Sequence, residues 1–161
     1  GPKMFRKMRR FKQQVSEAEC KKVLTEEKRG TLSVIGDNGY PYSLPINFYY
    51  DEKDNRIYFH GAKEGHKVDA IKKCDKVCFT TWNQGFKKEG CWEWNITSVI
   101  IFGRAKLIQN GELIEDRLRK MAFKYYPTEE EAEKELKLAI DRVQLFAIDI
   151  EQMTGKLVNE K

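Results

Sequence analysis

The residues best suited to chemistry crowd one stretch, Ile57-Tyr58-Phe59-His60-Gly61-Ala62-Lys63-Glu64-Gly65-His66-Lys67-Val68. Ile57 and Phe59 alternate with Tyr58 and His60 as in a half-buried strand, and Gly61 and Gly65 let the following backbone bend tightly and present its N–H groups. From His66 onward the pattern predicts a short helix over 66–73. Its unpaired N-terminal N–H groups and positive dipole end attract an anion, and Lys67 adds a full charge in the first turn. Such a strand, loop and helix start suits one phosphate monoester, which carries about −1.5 to −2 charges. A solvated loop is the alternative these residues leave open.

Other phosphate motifs are absent. A Walker A loop needs four residues between its glycines and then Lys followed by Ser or Thr, whereas three residues separate Gly61 from Gly65, His66 intervenes, and Val68 follows Lys67. Without a G-x-G-x-x-G fingerprint, a nicotinamide cofactor would visit as a substrate rather than reside in a dinucleotide-binding domain. Cys20, Cys74, Cys78 and Cys91 include no C-x-x-C pair and neither histidine stands beside a cysteine, so no metal site is expected. The thiols read as free and largely buried.

The elements that position this stretch follow from local signals. Ser16-Glu17-Ala18-Glu19 is a capping box opening a helix over 16–29, with Gly30 as its stop. Residues 31–35 and 42–50 read as strands joined by the turn Gly36-Asp37-Asn38-Gly39. Pro45 cannot donate a ladder bond, so the second strand must be an edge or carry a bulge, leaving neighbouring backbone free for a ligand. Residues 56–60 form a third strand, giving a three-strand meander, and 76–82 a fourth. Residues 91–108 exceed a typical strand, so a bend is expected near 95–98 or at Gly103. Helices follow over 111–126, closed by Pro127, and from Thr128-Glu129-Glu130-Glu131 to about Ala139. A final strand over 143–150 completes a mainly β (α+β) chain, a six-stranded antiparallel barrel with peripheral helices.

The net charge of +5 resides in an arm: Lys3, Arg6, Lys7, Arg9, Arg10 and Lys12 precede the first acid, Glu17, and the rest carries 24 Lys/Arg against 25 Asp/Glu. A basic arm (1–12), solvated or clamping a partner subunit, and one domain (13–161) are expected, with nucleic-acid binding disfavoured. Gly1-Pro2 reads as a scar of tag removal. No run reaches the roughly 18 apolar residues a membrane span needs, so a soluble, cytoplasmic protein is expected.

Several blocks together resemble the pyridoxamine 5′-phosphate oxidase-like flavoproteins, and nearest among them the nitroimidazole-resistance type. They are Met8-Arg9-Arg10, Gly39-Tyr40-Pro41-Tyr42-Ser43-Leu44-Pro45-Ile46-Asn47-Phe48, Ile57 to Ala62 with Gly65-His66-Lys67, Ser98 to Ala105, and Met153-Thr154-Gly155-Lys156. The resemblance implies a split β-barrel homodimer with FMN at the subunit interface. By position, Lys67 and the loop of His60, Gly61, Ala62, Lys63 and Gly65 would hold the FMN phosphate, with His66 nearby. Pro45, Ile46, Asn47 and Phe48 would lie against the isoalloxazine.

The function this implies is reduction of a small planar acceptor such as a nitroaromatic, with reduced nicotinamide as donor. The alternative is a non-catalytic barrel binding flavin, or haem through His60 or His66. Flavin chemistry needs no protein nucleophile. His60 is the one candidate catalytic side chain, and its other reading is a hydrogen-bond donor on the phosphate side. Trp82, Trp92 and Trp94 could line the substrate face, although tryptophans on long strands more often pack a core or a subunit interface.

Overall fold

Strands β1 (Arg29–Ile35) and β2 (Pro41–Asn47) pair in register from Arg29 opposite Asn47 to Ile35 opposite Pro41. Their connection places Asn38 at φ 59° and Gly39 at φ 76°, left-handed values that Asn and Gly accept readily. The chain belongs to a computed structural model that describes residues 4–160; residues 1–3, which include the expected tag scar, and residue 161 lie outside the described residues.

After β2 the chain leaves the ladder at Phe48 and resumes as β3 (Tyr49–Asp51), which pairs with β4 (Arg56–Gly61). The expected strand over 42–50 is therefore two strands, at opposite ends of the order β2-β1-β5-β6-β7-β4-β3, and the barrel has seven strands instead of six. Phe48 explains the break. Its fully buried ring meets Phe79 edge-on at 4.8 Å, so the chain turns through the interior and crosses from one sheet edge to the other. The expected meander gives way to two hairpins, and β4 finds its second neighbour in β7 (Gln144–Glu160).

Strands β5 (Lys76–Trp82) and β6 (Trp94–Leu107) complete the sheet. The β6–β7 register shifts between Phe102 and Gly103, at one of the two expected bends. A Cβ at Gly103 would overlap the Asp149 carbonyl, which explains the glycine. The last strand runs ten residues beyond its expected end at Ile150, because Gln152 to Val158 pair with β6 although their sequence lacks a clear apolar alternation.

Helix α1 (Glu17–Glu26) is capped by Ser16, whose Oγ accepts from the Glu19 N–H at 3.2 Å. It ends earlier than expected because Arg29 already belongs to β1; Gly30 is a strand residue whose Cβ would overlap the Phe79 ring. Helices α2 (His66–Lys73), α3 (Gly111–Tyr125) and α4 (Glu129–Ala139) lie close to their expected bounds. Thr128 caps α4, its Oγ1 accepting from the Glu131 N–H at 3.1 Å.

Two apolar clusters result. The barrel interior includes Leu24, Leu32, Phe48, Phe59, Phe79 and Ile101. A second cluster packs Leu118, Met121 and Leu136 of α3 and α4 on Tyr58, Leu145 and Ala147. This helical cover explains why Tyr58, placed by alternation on the open side of a half-buried strand, is fully buried. Burial of each such large side chain stabilises the fold by about 1.5–3 kcal/mol.

The outer face of β1, β5 and β6 is different. Ile35, Trp82, Trp94, Ile100 and Phe102 are exposed there, Trp92 is exposed in the loop before β6, and so no tryptophan packs the core. Cys20 is buried, Cys74 and Cys78 half-buried, Cys91 exposed, and all are free thiols. Among the described residues, no helix is long and apolar enough to cross a membrane, and no group of His, Cys, Asp and Glu could hold a metal ion.

Candidate functional site

The barrel is open along the seam where β3 begins. Tyr49 opposite Tyr58 is the first β3 residue on β4, so Phe59, His60 and Gly61 extend past the β3–β4 ladder. Strand β2 is an edge of the sheet, as Pro45 requires. Between them lies a groove of about 330 Å³ lined by Arg29, Pro45, Ile46, Asn47, His60 and Lys67. Five of these are sequence-expected site residues brought together from β2, β4 and the first turn of α2.

The groove is basic and lacks counter-charge. Among the described residues, no carboxylate forms an ion pair with Arg29, His60 or Lys67. Burial holds the Lys67 ammonium below the ordinary lysine pKa. The His60 imidazole is lowered first by burial and then by the Lys67 charge, although the residue is exposed at the surface; the direction follows from the surrounding chain and the neighbouring cation. Lys67 Nζ stands 5.6 Å from the Phe59 ring centroid and 5.4 Å from that of Phe146, aromatic faces that partly replace its lost water. At Gly61 a Cβ would overlap Lys67 Nζ, so the glycine makes room for the amine. An uncompensated cation seated against Gly61, beside Arg29 and His60, fits a phosphate group.

The other expected residues are placed elsewhere. His66 stacks on Tyr42 at 4.2 Å, and its Nε2 accepts from the Asp37 N–H at 3.3 Å, which ties α2 to the β1–β2 turn. Lys63 donates to the Asp141 carbonyl at 3.0 Å. Ala62 is exposed, and Gly65 is the N-cap of α2 at φ 139°, with no side chain capping that helix start. Phe48 contributes its ring to the core and does not line the groove.

The broken ladder at Phe48 is repaired by the end of α3. The Tyr125 hydroxyl accepts from the Phe48 N–H at 2.8 Å, and its single proton can go to the Phe48 carbonyl at 2.7 Å or to the Lys28 carbonyl. Lys124 Nζ donates to the same Phe48 carbonyl at 3.0 Å and lies 4.0 Å from the Phe48 ring centroid. Burial pushes Lys124 down to about 8 and Tyr125 up to about 12. Together they fix the residue that follows Asn47 in the groove wall.

Arg29, Lys124 and Tyr125 escaped the sequence reading. Arg29 reads as the basic end of a helix until β1 is seen to begin there, and Tyr125 reads as an apolar position of α3. No motif marks the Lys124-Tyr125 pair.

Solved structures share this architecture. A candidate 5-nitroimidazole antibiotic resistance protein from Bacteroides thetaiotaomicron superposes with a TM-score of 0.74 at 18% identity, over 91% of this chain and 87% of that one. A FAD-binding protein from Mesorhizobium loti gives 0.65 at 24% identity, over 90% and 96%. The flavocytochrome Anf3 from Azotobacter vinelandii gives 0.74 at 21% identity, over 96% and 74%. At these identities the likeness is one of fold. A comparison with curated proteins gave no match. The sequence itself matches the family model described as pyridoxamine 5′-phosphate oxidase over residues 16–157, which spans every α-helix and strand except the last residues of β7, and the chain therefore belongs to the pyridoxamine 5′-phosphate oxidase family.

Proposed function

We propose that the chain is an FMN-dependent oxidoreductase, working as a homodimer, that passes electrons from reduced nicotinamide to a small planar acceptor such as a nitroaromatic. The observation that carries this reading is the groove in which Arg29, His60 and Lys67 stand without a carboxylate partner beside the edge strand Pro45 to Asn47. Its cations sit together in one groove, as a phosphate monoester requires, which favours FMN. A flavin relative, the Mesorhizobium loti protein, and a flavocytochrome share the fold.

In this reading Lys67 neutralises the phosphate, and His60 donates a hydrogen bond to it or faces the ring. The β2 edge, lacking an N–H at Pro45, orients the flavin through the outward-facing backbone groups that an edge strand leaves unpaired beside Pro45. The bound flavin supplies hydride and electron transfer between donor and acceptor. For a nitro compound the balance is one hydride from NAD(P)H plus one solvent proton, converting R–NO₂ to R–NO and water and leaving NAD(P)⁺.

The outer face of β1, β5 and β6, which no helix covers and where Ile35, Ile100 and Phe102 are exposed, supports the homodimer. The test is the absorbance of the protein with added FMN, followed by anaerobic reduction with NADH. A flavin spectrum that bleaches with NADH supports the reading, and a protein that binds no FMN refutes it. A Soret band on adding haem instead would move the chain to the haem-binding alternative.

A further inference from the structure

A second cavity, of about 500 Å³, opens beside the basic groove and shares Arg29 and Pro45 with it. We propose that this cavity is the acceptor site and that it takes a planar aromatic molecule bearing a two-oxygen group, nitro or carboxylate, stacked on Trp82 and oriented by Arg29. The proposal rests on the flavin reading above. It adds where the acceptor lies and which side chains select it.

Three observations carry it. The two spaces adjoin across Arg29 and Pro45, so a molecule in the larger cavity lies next to whatever lies along Pro45 to Asn47. Trp82 ends β5 as a residue 52% exposed, bordering this cavity rather than the core. A flat ring left open at a cavity wall suits a stacked planar guest. Arg29 has no carboxylate partner among the described residues, and a guanidinium fork matches a planar O–N–O or O–C–O group with two parallel hydrogen bonds.

The remaining wall limits the ligand's charge. Glu26 and Glu27 line the cavity with Lys28 and Gln84, so the lining carries two acids against two bases. A guest that presents one polar end to Arg29 and an uncharged ring to Trp82 is accommodated. A polyanion meets the two glutamates and is disfavoured.

The probe is p-nitrobenzoate, titrated calorimetrically into the FMN-loaded protein, with benzoate and nitrobenzene as single-group controls. Trp82→Ala is expected to weaken p-nitrobenzoate binding about 10-fold while FMN affinity stays within about twofold, and Trp82→Phe to retain most of the binding. Nitrobenzene and benzoate, each with one two-oxygen group for Arg29, should also bind. Steady-state assays should show the Trp82→Ala loss in KM with kcat largely kept.

Unchanged p-nitrobenzoate binding in Trp82→Ala, or a parallel fall in FMN affinity, overturns the proposal. The second result would assign the cavity to the cofactor. Failure of the wild-type protein to bind FMN removes the cofactor reading and the acceptor role with it. Normal FMN binding without p-nitrobenzoate binding removes only the acceptor site.

Discussion

Lys67 shows the conflict between stability and binding at the scale of one residue. Its lowered pKa means that the folded chain holds this proton less well than the unfolded chain, so the charge the groove needs for an anion opposes folding in the ligand-free protein. Lys67→Met should therefore raise the melting temperature of the ligand-free protein while weakening FMN binding, and thermal denaturation with and without FMN reads both effects. An equal fall in both would make Lys67 structural.

His60 obeys the same sign. Its folded pKa lies below the unfolded value near 6.5, so stability present above that pH is lost as pH falls through the folded value. Denaturation from pH 7.5 to 5 should show this loss, and His60→Gln should reduce it. The sequence announced both residues because glycines and a helix start surround them. It hid Arg29, since only strand pairing shows that this side chain stands opposite Asn47 and not on a helix end.

At the scale of elements, the structure depends on how α3 holds the seam. The middle of the helix is anchored by Arg117, which meets Asp51 at 3.3 Å and Asp54 at 3.1 Å and stands 5.3 Å from the Tyr58 ring centroid. Tyr125 and Lys124 anchor its C-terminal end on Phe48. Tyr125→Phe removes the hydroxyl from the Phe48 N–H and carbonyl and should cost about 1–2 kcal/mol in urea denaturation. The loss is limited because the Phe48 N–H also reaches the Lys28 carbonyl at 3.3 Å.

Lys124, lowered from 10.5 to about 8, makes stability rise with pH between about 8 and 10, and Lys124→Met should flatten that slope. Most elements were legible because their signals are local: capping boxes at Ser16 and Thr128, the Asn38-Gly39 turn, and apolar alternation in β5. The split at Phe48 and the run of β7 to residue 160 were not. Both depend on partners far away in the chain, Tyr125 for the first and β6 for the second.

At the scale of the molecule, helices cover only part of the barrel. Helices α3 and α4 shield Tyr58, Leu145 and Ala147, whereas no helix packs over Ile100 and Phe102. Phe5 of the basic arm stacks on Phe102 with ring centroids 5.3 Å apart, so the arm borders this face. A stable dimer buries roughly 800 Å² per partner, and a charge at its centre is costly. Ile100→Lys should therefore shift the protein from dimer to monomer in sedimentation, with weakened FMN binding if the partner completes the site. A wild-type protein that sediments as a monomer at micromolar concentration would leave the face without this role.

The central claim is that Lys67 and its neighbours hold the phosphate of a flavin, and FMN titration of wild-type and Lys67→Ala proteins tests it directly. Saturable binding is expected of the wild type and a loss of about 1.5–3 kcal/mol in the variant, roughly 10- to 100-fold in Kd, with riboflavin, which lacks the phosphate, binding both proteins equally weakly. Equal FMN affinity in the two proteins would contradict it.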